Sequence, residues 1–144
     1  MCADEQQIQN IAVVDERADK LIRAFMPGFI TLFLNRNSNL SEYITNGKDT
    51  IAVRMATSNV LKELIKKTGS HLFMTSVNKS EEPECTNLDD IEKICPLLDG
   101  MLDGDIVFGE ASTIVDCSLE ELRILRIDPI SKEQITKVIN MKWR

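Results

Sequence analysis

Helical and extended patterns alternate along this chain of 144 residues. One amphipathic helix is predicted by apolar residues at positions i, i+3, i+4 and i+7, which share a helix face: Ala18, Leu21, Ile22 and Phe25. Pro27-Gly28 ends that helix, because neither residue favours its continuation. Stretches rich in apolar and β-branched residues predict five strands, at 29–34, 50–55, 71–76, 112–117 and 122–127.

Capping signals predict three more helices. The segment 58–67 reads as a helix closed by Gly69, and Thr86 with Asp89 predicts a short helix that ends near residues 95–96. Ser131 with Gln134 opens the last helix. Polar or glycine-rich segments predict loops at 36–48, 81–84 and 99–111, with a turn at 46–47. Alternating elements without a linker or repeat favour an α/β or α+β fold in one domain, 1–144.

Composition and charge narrow the function classes. The formal net charge of −6 argues against a protein that coats nucleic acid by bulk charge. Four scattered cysteines and one histidine form no zinc-ligand spacing, so reduced thiols are expected. No apolar run approaches the ~20 residues of a membrane-spanning helix. The N-terminus lacks signal-peptide features, so we expect a cytoplasmic protein without a membrane partner.

Common catalytic motifs are absent from the sequence, and polar residues inside strands remain as candidates. There is no phosphate-binding GxxxxGK[ST] loop, no GxGxxG and no GxSxG. Strand alternation places candidate polar residues on one face of their own strands: Thr50 with Arg54, Met74 with Ser76 and Asn78, Ser112 with Asp116, and Ile124 with Arg126. A strand arginine needs a partner or water. Two interpretations stay open: ion pairs at the sheet edge, or a ligand pocket.

Five stretches in register carry a family resemblance. They are PGFITLFL at 27–34, TIAVRM at 50–55, TSVN-x-S at 75–80, STIVD at 112–116 and ILR-x-x-x-IS at 124–131. In their order and spacing the chain resembles the YrdC-like family, whose best-known members are threonylcarbamoyl-AMP synthases. The resemblance implies a twisted, mixed α/β sheet flanked by helices around a deep, positively charged cavity.

The resemblance also implies a nucleotidyltransferase reaction. Family members join L-threonine, bicarbonate and ATP, with Mg²⁺ expected on the nucleotide, into threonylcarbamoyl-AMP and pyrophosphate for the t6A modification of tRNA. The ATP-side residues implied by position are Thr50, Ser76, Asn78 and Arg126. The threonine-side residues are Arg54, Met74, Ser112 and Thr113. No residue is assigned a catalytic or metal-ligating role.

Departures from the family pattern set further expectations. The chain aligns after the family's N-terminal Lys/Arg-rich motif, so we expect a partial, N-terminally truncated domain. Glu81 and Glu84 replace a glycine and a small hydroxyl residue, and Ile127-Asp128 replaces Pro-Gly. Losing phosphate-binding cations lowers transition-state stabilisation, so this chain alone is expected to be a weak or inactive synthase. The alternative is a catalytically degenerate module that binds double-stranded RNA or nucleotide. Docking to tRNA-modification proteins, or homo-oligomers formed through an exposed sheet edge, is also expected.

Overall fold

A computed structural model describes residues 1–78, 85, 87–102 and 111–141. Contacts between backbone positions divide the chain into two units. The first unit comprises Met1–Leu72 and Glu110–Arg144, and the second comprises Phe73–Gly109. Each unit is described by itself. The predicted loop at 81–84, and residues 103–110 of the predicted loop at 99–111, fall outside the described residues.

A mixed sheet of four strands organises the first unit. Its strands are β1 Ile30–Asn35, β2 Thr50–Val53, β3 Thr113–Asp116 and β4 Arg123–Arg126. They lie in the order β2-β1-β3-β4. β1 pairs antiparallel with β2 and parallel with β3, and β3 pairs antiparallel with β4 through an irregular register. This arrangement confirms the predicted mixed sheet of an α+β fold.

Helices supply the second layer of this unit. The helices of the described chain are α1 Glu5–Ile11, α2 Glu16–Phe25, α3 Asn59–Thr68, α4 Leu88–Ile94 and α5 Lys132–Asn140, of which α4 belongs to the second unit. Alternate β1 residues, Ile30, Leu32 and Leu34, are fully buried. They form one core with apolar residues of α1, α2 and α5. One face of the sheet is therefore the core face, as strand alternation requires.

Local capping explains where several helices begin and end. Asp15, Ser58 and Ser131 accept hydrogen bonds from first-turn backbone N–H groups of α2, α3 and α5. Ser131 and Gln134 form the predicted capping box. Gly69 ends α3 with a φ of 72°, a left-handed conformation that a residue without Cβ adopts at little cost. The predicted capping box and the predicted end of α3 at Gly69 are confirmed, because neighbouring residues determine them.

Three sequence-based predictions need correction. The segment 71–76 forms no strand: its backbone joins no ladder, and the Phe73 side chain is 74% exposed. The short helix has its N-cap at Asn87 instead of Thr86. Met55 lies outside β2 and bridges to Cys2. The two strand errors arise because strand pairing depends on distant contacts. The helix error is local, because the Asn87 side chain accepts a hydrogen bond from the Asp90 nitrogen.

The sequence-based prediction missed two helical elements. α1 and a 3-10 helix, Glu42–Thr45, lie in segments too polar and too short to show a clear apolar periodicity.

No helix among the described residues has the length and apolar character needed to cross a membrane.

Burial of Cys117 predicts a chemically inert thiol. Its side chain lies in the core, and desolvation raises the pKa of Cys117 to about 12. A thiol reacts as its thiolate, so we expect iodoacetamide near pH ~8 to leave Cys117 unmodified while labelling the less buried Cys95. Mass spectrometry after labelling measures this. In concentrated urea both should react, and equal labelling of both in the folded protein would contradict the prediction.

Candidate functional site

The sheet face opposite the core carries a row of residues that crosses β4, β3 and β1 and ends at the residue after β2. Thr31 pairs with Ile114, and Ile114 pairs with Arg126. Val53, the last residue of β2, pairs with Leu32 of β1. Because the two strands are antiparallel, the residue after Val53, which is Arg54, falls opposite Thr31. We call these four positions, Arg54, Thr31, Ile114 and Arg126, the arginine row. Its ends are two cations on the same face of the sheet.

Arg126 is held by the residue that precedes β3. Its Nε donates to the backbone oxygen of Ser112 at 2.9 Å, and its Nη2 lies 3.3 Å from the Ser112 Oγ. The Ser112 hydroxyl is buried and lies 2.8 Å from the Thr31 Oγ1. Arg126, Ser112 and Thr31 therefore form a continuous hydrogen-bonded group, which fixes the direction of one guanidinium.

Arg54 is held differently. Its guanidinium carbon lies over the Phe29 ring, 5.5 Å from the ring centroid. Burial, and secondarily the positive charge of Arg126, lowers the pKa of Arg54. The ion pairs of the described residues include neither Arg54 nor Arg126. The sequence left two interpretations open for these arginines. In the described part of the chain, the one that pairs Arg54 and Arg126 with acidic residues at the sheet edge does not hold.

The arrangement is suited to an anion. Two guanidinium groups that repel each other, one of them half-buried, are stabilised when a negative group lies near both. Their planar N–H edges match carboxylate and phosphate oxygens in forked geometry. Serine and threonine hydroxyls beside them add short-range donors and acceptors. The face can therefore bind and orient an anionic ligand.

The remaining predicted residues of the first unit are placed less favourably. Thr50 lies on the same face of β2, opposite Asn35, but four residues, or ~13 Å, along the strand from Arg54. Thr113 is fully buried and faces the core side. Its Oγ1 lies 3.1 Å from the Asp128 nitrogen and 3.2 Å from the Ile130 nitrogen. The structure thus brings Arg54, Ser112 and Arg126 to one end of the same sheet face. It leaves Thr50 farther along that face and Thr113 on the opposite one.

Three predicted residues belong to the second unit. Ser76 Oγ donates to Asn78 Oδ1 at 2.6 Å, and the Met74 side chain is 54% exposed. Their common face was inferred from a strand that does not form, so alternation no longer supports it. The local hydrogen bond instead joins Ser76 and Asn78 directly.

Sequence reasoning missed Thr31 and Phe29 as members of the group. Thr31 carried a usable signal, because alternation places it opposite the buried Ile30 and Leu32. Phe29 carried none: an aromatic residue at the start of an apolar strand predicts core packing. Its contact with Arg54 depends on the pairing of β1 with β2.

A concave feature of the first unit, away from the arginine row, is acidic. It encloses about 500 Å³, and its lining includes Asp15, Glu16 and Asp19, with no member of the arginine row. Each of these carboxylates already contacts a neighbouring cation of α2. An anionic nucleotide would be repelled there. Among the described residues, no group of three or more His, Cys, Asp or Glu side chains is placed to hold a metal ion.

Thr113 is expected to stabilise the fold through its hydroxyl. Thr113→Val keeps the side-chain shape but leaves the Asp128 and Ile130 N–H groups without their acceptor, which should lower the free energy of unfolding by about 2–3 kcal/mol. Thr113→Ser keeps the hydroxyl and should lose about 1 kcal/mol. Urea unfolding followed by circular dichroism measures both. Equal losses in the two variants would show that the hydroxyl contributes little.

Comparisons with known proteins agree with this fold. A family model for Sua5, YciO and YrdC proteins, described as "Telomere recombination", matches residues 1–127. A threonylcarbamoyl-AMP synthase of Bacillus subtilis is 31% identical over 144 residues, which cover 95% of this chain and 41% of that protein. A threonylcarbamoyl-AMP synthase of Pyrococcus abyssi is also 31% identical, with 95% and 41% covered.

Solved structures give the same result. The structure of P. abyssi Sua5 complexed with L-threonine superposes with a TM-score of 0.84 at 29% identity, covering 96% of this chain and 42% of that one. Escherichia coli YciO, at 18% identity and a TM-score of 0.76, shares the fold over 94% of this chain and 67% of its own. The chain spans about two fifths of the length of the synthases it matches. It belongs to the Sua5/YciO/YrdC family.

Proposed function

We propose that this chain acts in threonylcarbamoyl-AMP synthesis, the reaction for which its relatives are named. The observation that carries the proposal is the pair Arg54 and Arg126, which share one sheet face and lack carboxylate partners among the described residues. The substrates are L-threonine, bicarbonate and ATP. The P. abyssi relative solved with L-threonine supports an amino acid as one of the ligands.

The proposed chemistry needs cations at two places. Threonine and bicarbonate condense to a carbamate with loss of water. A carbamate oxygen then attacks the α-phosphorus of ATP, and the bond to the β-phosphate oxygen breaks to release pyrophosphate. Both reactants are anions, so positioning and charge stabilisation can supply most of the rate without a covalent enzyme intermediate.

Arg54 and Arg126 divide these tasks in the proposal. Arg54 keeps its guanidinium N–H groups unbonded to carboxylates of the described chain, so it can form a forked pair with the threonine carboxylate. Ser112 supplies a hydroxyl between Arg126 and Thr31 on the same face. Arg126 offsets phosphate charge, and Thr50 lies farther along the same sheet face. The ATP-side roles of Ser76 and Asn78 and the threonine-side roles of Met74 and Thr113 stay predictions from the family resemblance. Mg²⁺ would arrive on the nucleotide phosphates, which are its usual ligands.

Pyrophosphate release tests the activity. We expect the chain, mixed with ATP, L-threonine and bicarbonate, to release pyrophosphate only when all three are present, at a rate below that of the longer B. subtilis synthase used as a reference. Arg126→Met should abolish the release, because removing one charge-stabilising donor costs roughly 10²–10³ in rate. Release no greater than in a protein-free control, or release without threonine, would contradict the proposal.

The alternative is a binding module without turnover. Binding of ATP or L-threonine without pyrophosphate release would favour it, and tight binding of duplex RNA with a steep salt dependence would favour its RNA form. The net charge of −6 argues against the latter. A cytoplasmic location, contacts with tRNA-modification proteins, and self-association through a sheet edge stay predictions.

A further inference from the structure

We infer that Phe29 is a positioning residue for Arg54: its ring holds the guanidinium over the sheet face so that the N–H groups stay available to a substrate carboxylate. The inference deepens the proposed function and rests on it for the identity of the ligand. Phe29 acts through its contact with Arg54.

The backbone fixes the ring in place. Phe29 immediately precedes β1, and its carbonyl oxygen accepts a hydrogen bond from the Thr113 nitrogen at 2.9 Å, which ties it to β3. The ring itself is half-buried. Arg54 approaches from β2 on the other side of β1, and its guanidinium carbon reaches 5.5 Å from the centroid, within the ~6 Å range of a cation–π contact. The contact is therefore set by the pairing of three strands.

A ring holds a cation without using its hydrogen-bond donors. A carboxylate in the same place would occupy the N–H edge of Arg54 and neutralise its charge. An aromatic ring attracts the cation through its negative face and leaves that edge open. The difference matters here because the substrate must itself supply a carboxylate to Arg54.

The ring also opposes a repulsion. Arg126, fixed by Ser112, lies near enough that its charge acts on Arg54. An arginine side chain with no attachment would move towards solvent and away from that charge. Among the described residues, the group that holds the Arg54 guanidinium is the Phe29 ring, through the cation–π contact. Removing the ring should therefore release Arg54 from the ligand-binding orientation.

Two variants separate the ring face from simple packing. Phe29→Leu keeps an apolar side chain without a π face, whereas Phe29→Tyr keeps the face. In calorimetric titrations with L-threonine, we expect the leucine variant to bind roughly two- to fivefold more weakly and the tyrosine variant to stay within about twofold of the parent chain. In an Arg54→Met background, Phe29→Leu should have no further effect, because the two residues act through one contact. Equal weakening by leucine and tyrosine would overturn the inference.

A ligand-free measurement keeps this test distinct from that of the proposed function. The Arg54 Nε–Hε signal, identified in the NMR spectrum by its loss in Arg54→Lys, should move in Phe29→Leu and stay close to its place in Phe29→Tyr. If the leucine variant fails to fold, Phe29→Met replaces it. An unmoved signal would overturn the positioning role. A signal that moves in a chain that binds no threonine would overturn the proposed function and leave the positioning role standing.

Discussion

L-threonine binding is expected to weaken about 100-fold when Arg54 is replaced by methionine, which keeps much of the side-chain length but removes the charge. A forked pair with a carboxylate contains two charge-assisted hydrogen bonds, each worth roughly 1.5–3 kcal/mol, so a loss of about 2.7 kcal/mol is the conservative expectation. Arg54 is half-buried and has no carboxylate partner in the described chain, so little else could compensate. Isothermal titration calorimetry measures the change.

Two control variants sharpen that experiment. Arg54→Lys keeps the charge without the planar fork and should recover part of the affinity. Arg123→Met removes an exposed arginine of β4 that lies opposite Asp116, outside the arginine row, and should leave the affinity within about twofold. If Arg54→Met binds threonine as tightly as the parent chain, or if Arg123→Met weakens binding equally, the assignment of Arg54 to the carboxylate is wrong.

The largest loss of stability is expected at Leu32. This residue is fully buried in β1, where its neighbours across the sheet are Val53 and Val115. Leu32→Ala removes apolar contacts and leaves a cavity between three strands, which should lower the free energy of unfolding by about 3 kcal/mol. Urea unfolding followed by far-ultraviolet circular dichroism measures the shift in midpoint.

Leu125 provides the matched control for this loss. Its side chain is 56% exposed on β4, so Leu125→Ala should change the free energy of unfolding by no more than about 0.5 kcal/mol. The same chemical truncation in the same sheet therefore tests burial alone. Similar losses at the two positions would show that the core is not where the structure places it.

Much of the fold was predictable because its signals are local. The apolar run of β1, the helix caps at Ser58 and Ser131, and the closing Gly69 each depend on residues within a few positions. Alternation along β2 also placed Arg54 on the face opposite the buried Val53. Period and capping chemistry suffice for such elements.

The rest required contacts between distant parts of the chain. The segment 71–76 has the composition of a strand. It is not a strand, because no neighbouring segment of the described structure pairs with it. Thr113 and Ser112 are adjacent in sequence, yet Thr113 binds the backbone at 128–130 and Ser112 binds Arg126. The contact between Phe29 and Arg54 depends likewise on strand pairing. The ligand-facing group was therefore only partly visible in the sequence.

The order of strands in the sheet has a consequence for how the protein folds. β1 and β3 are parallel neighbours, although β2, α3 and the whole second unit lie between them in the chain. The β1–β2 hairpin can form early from nearby residues, whereas the central pairing must wait for a long loop to close, which slows folding. Closure entropy grows only slowly with length, by about 0.6 kcal/mol for each doubling. Insertions or deletions between residues 73 and 109 should therefore change the stability of the sheet little. The refolding rate should depend on how fast β3 pairs with β1.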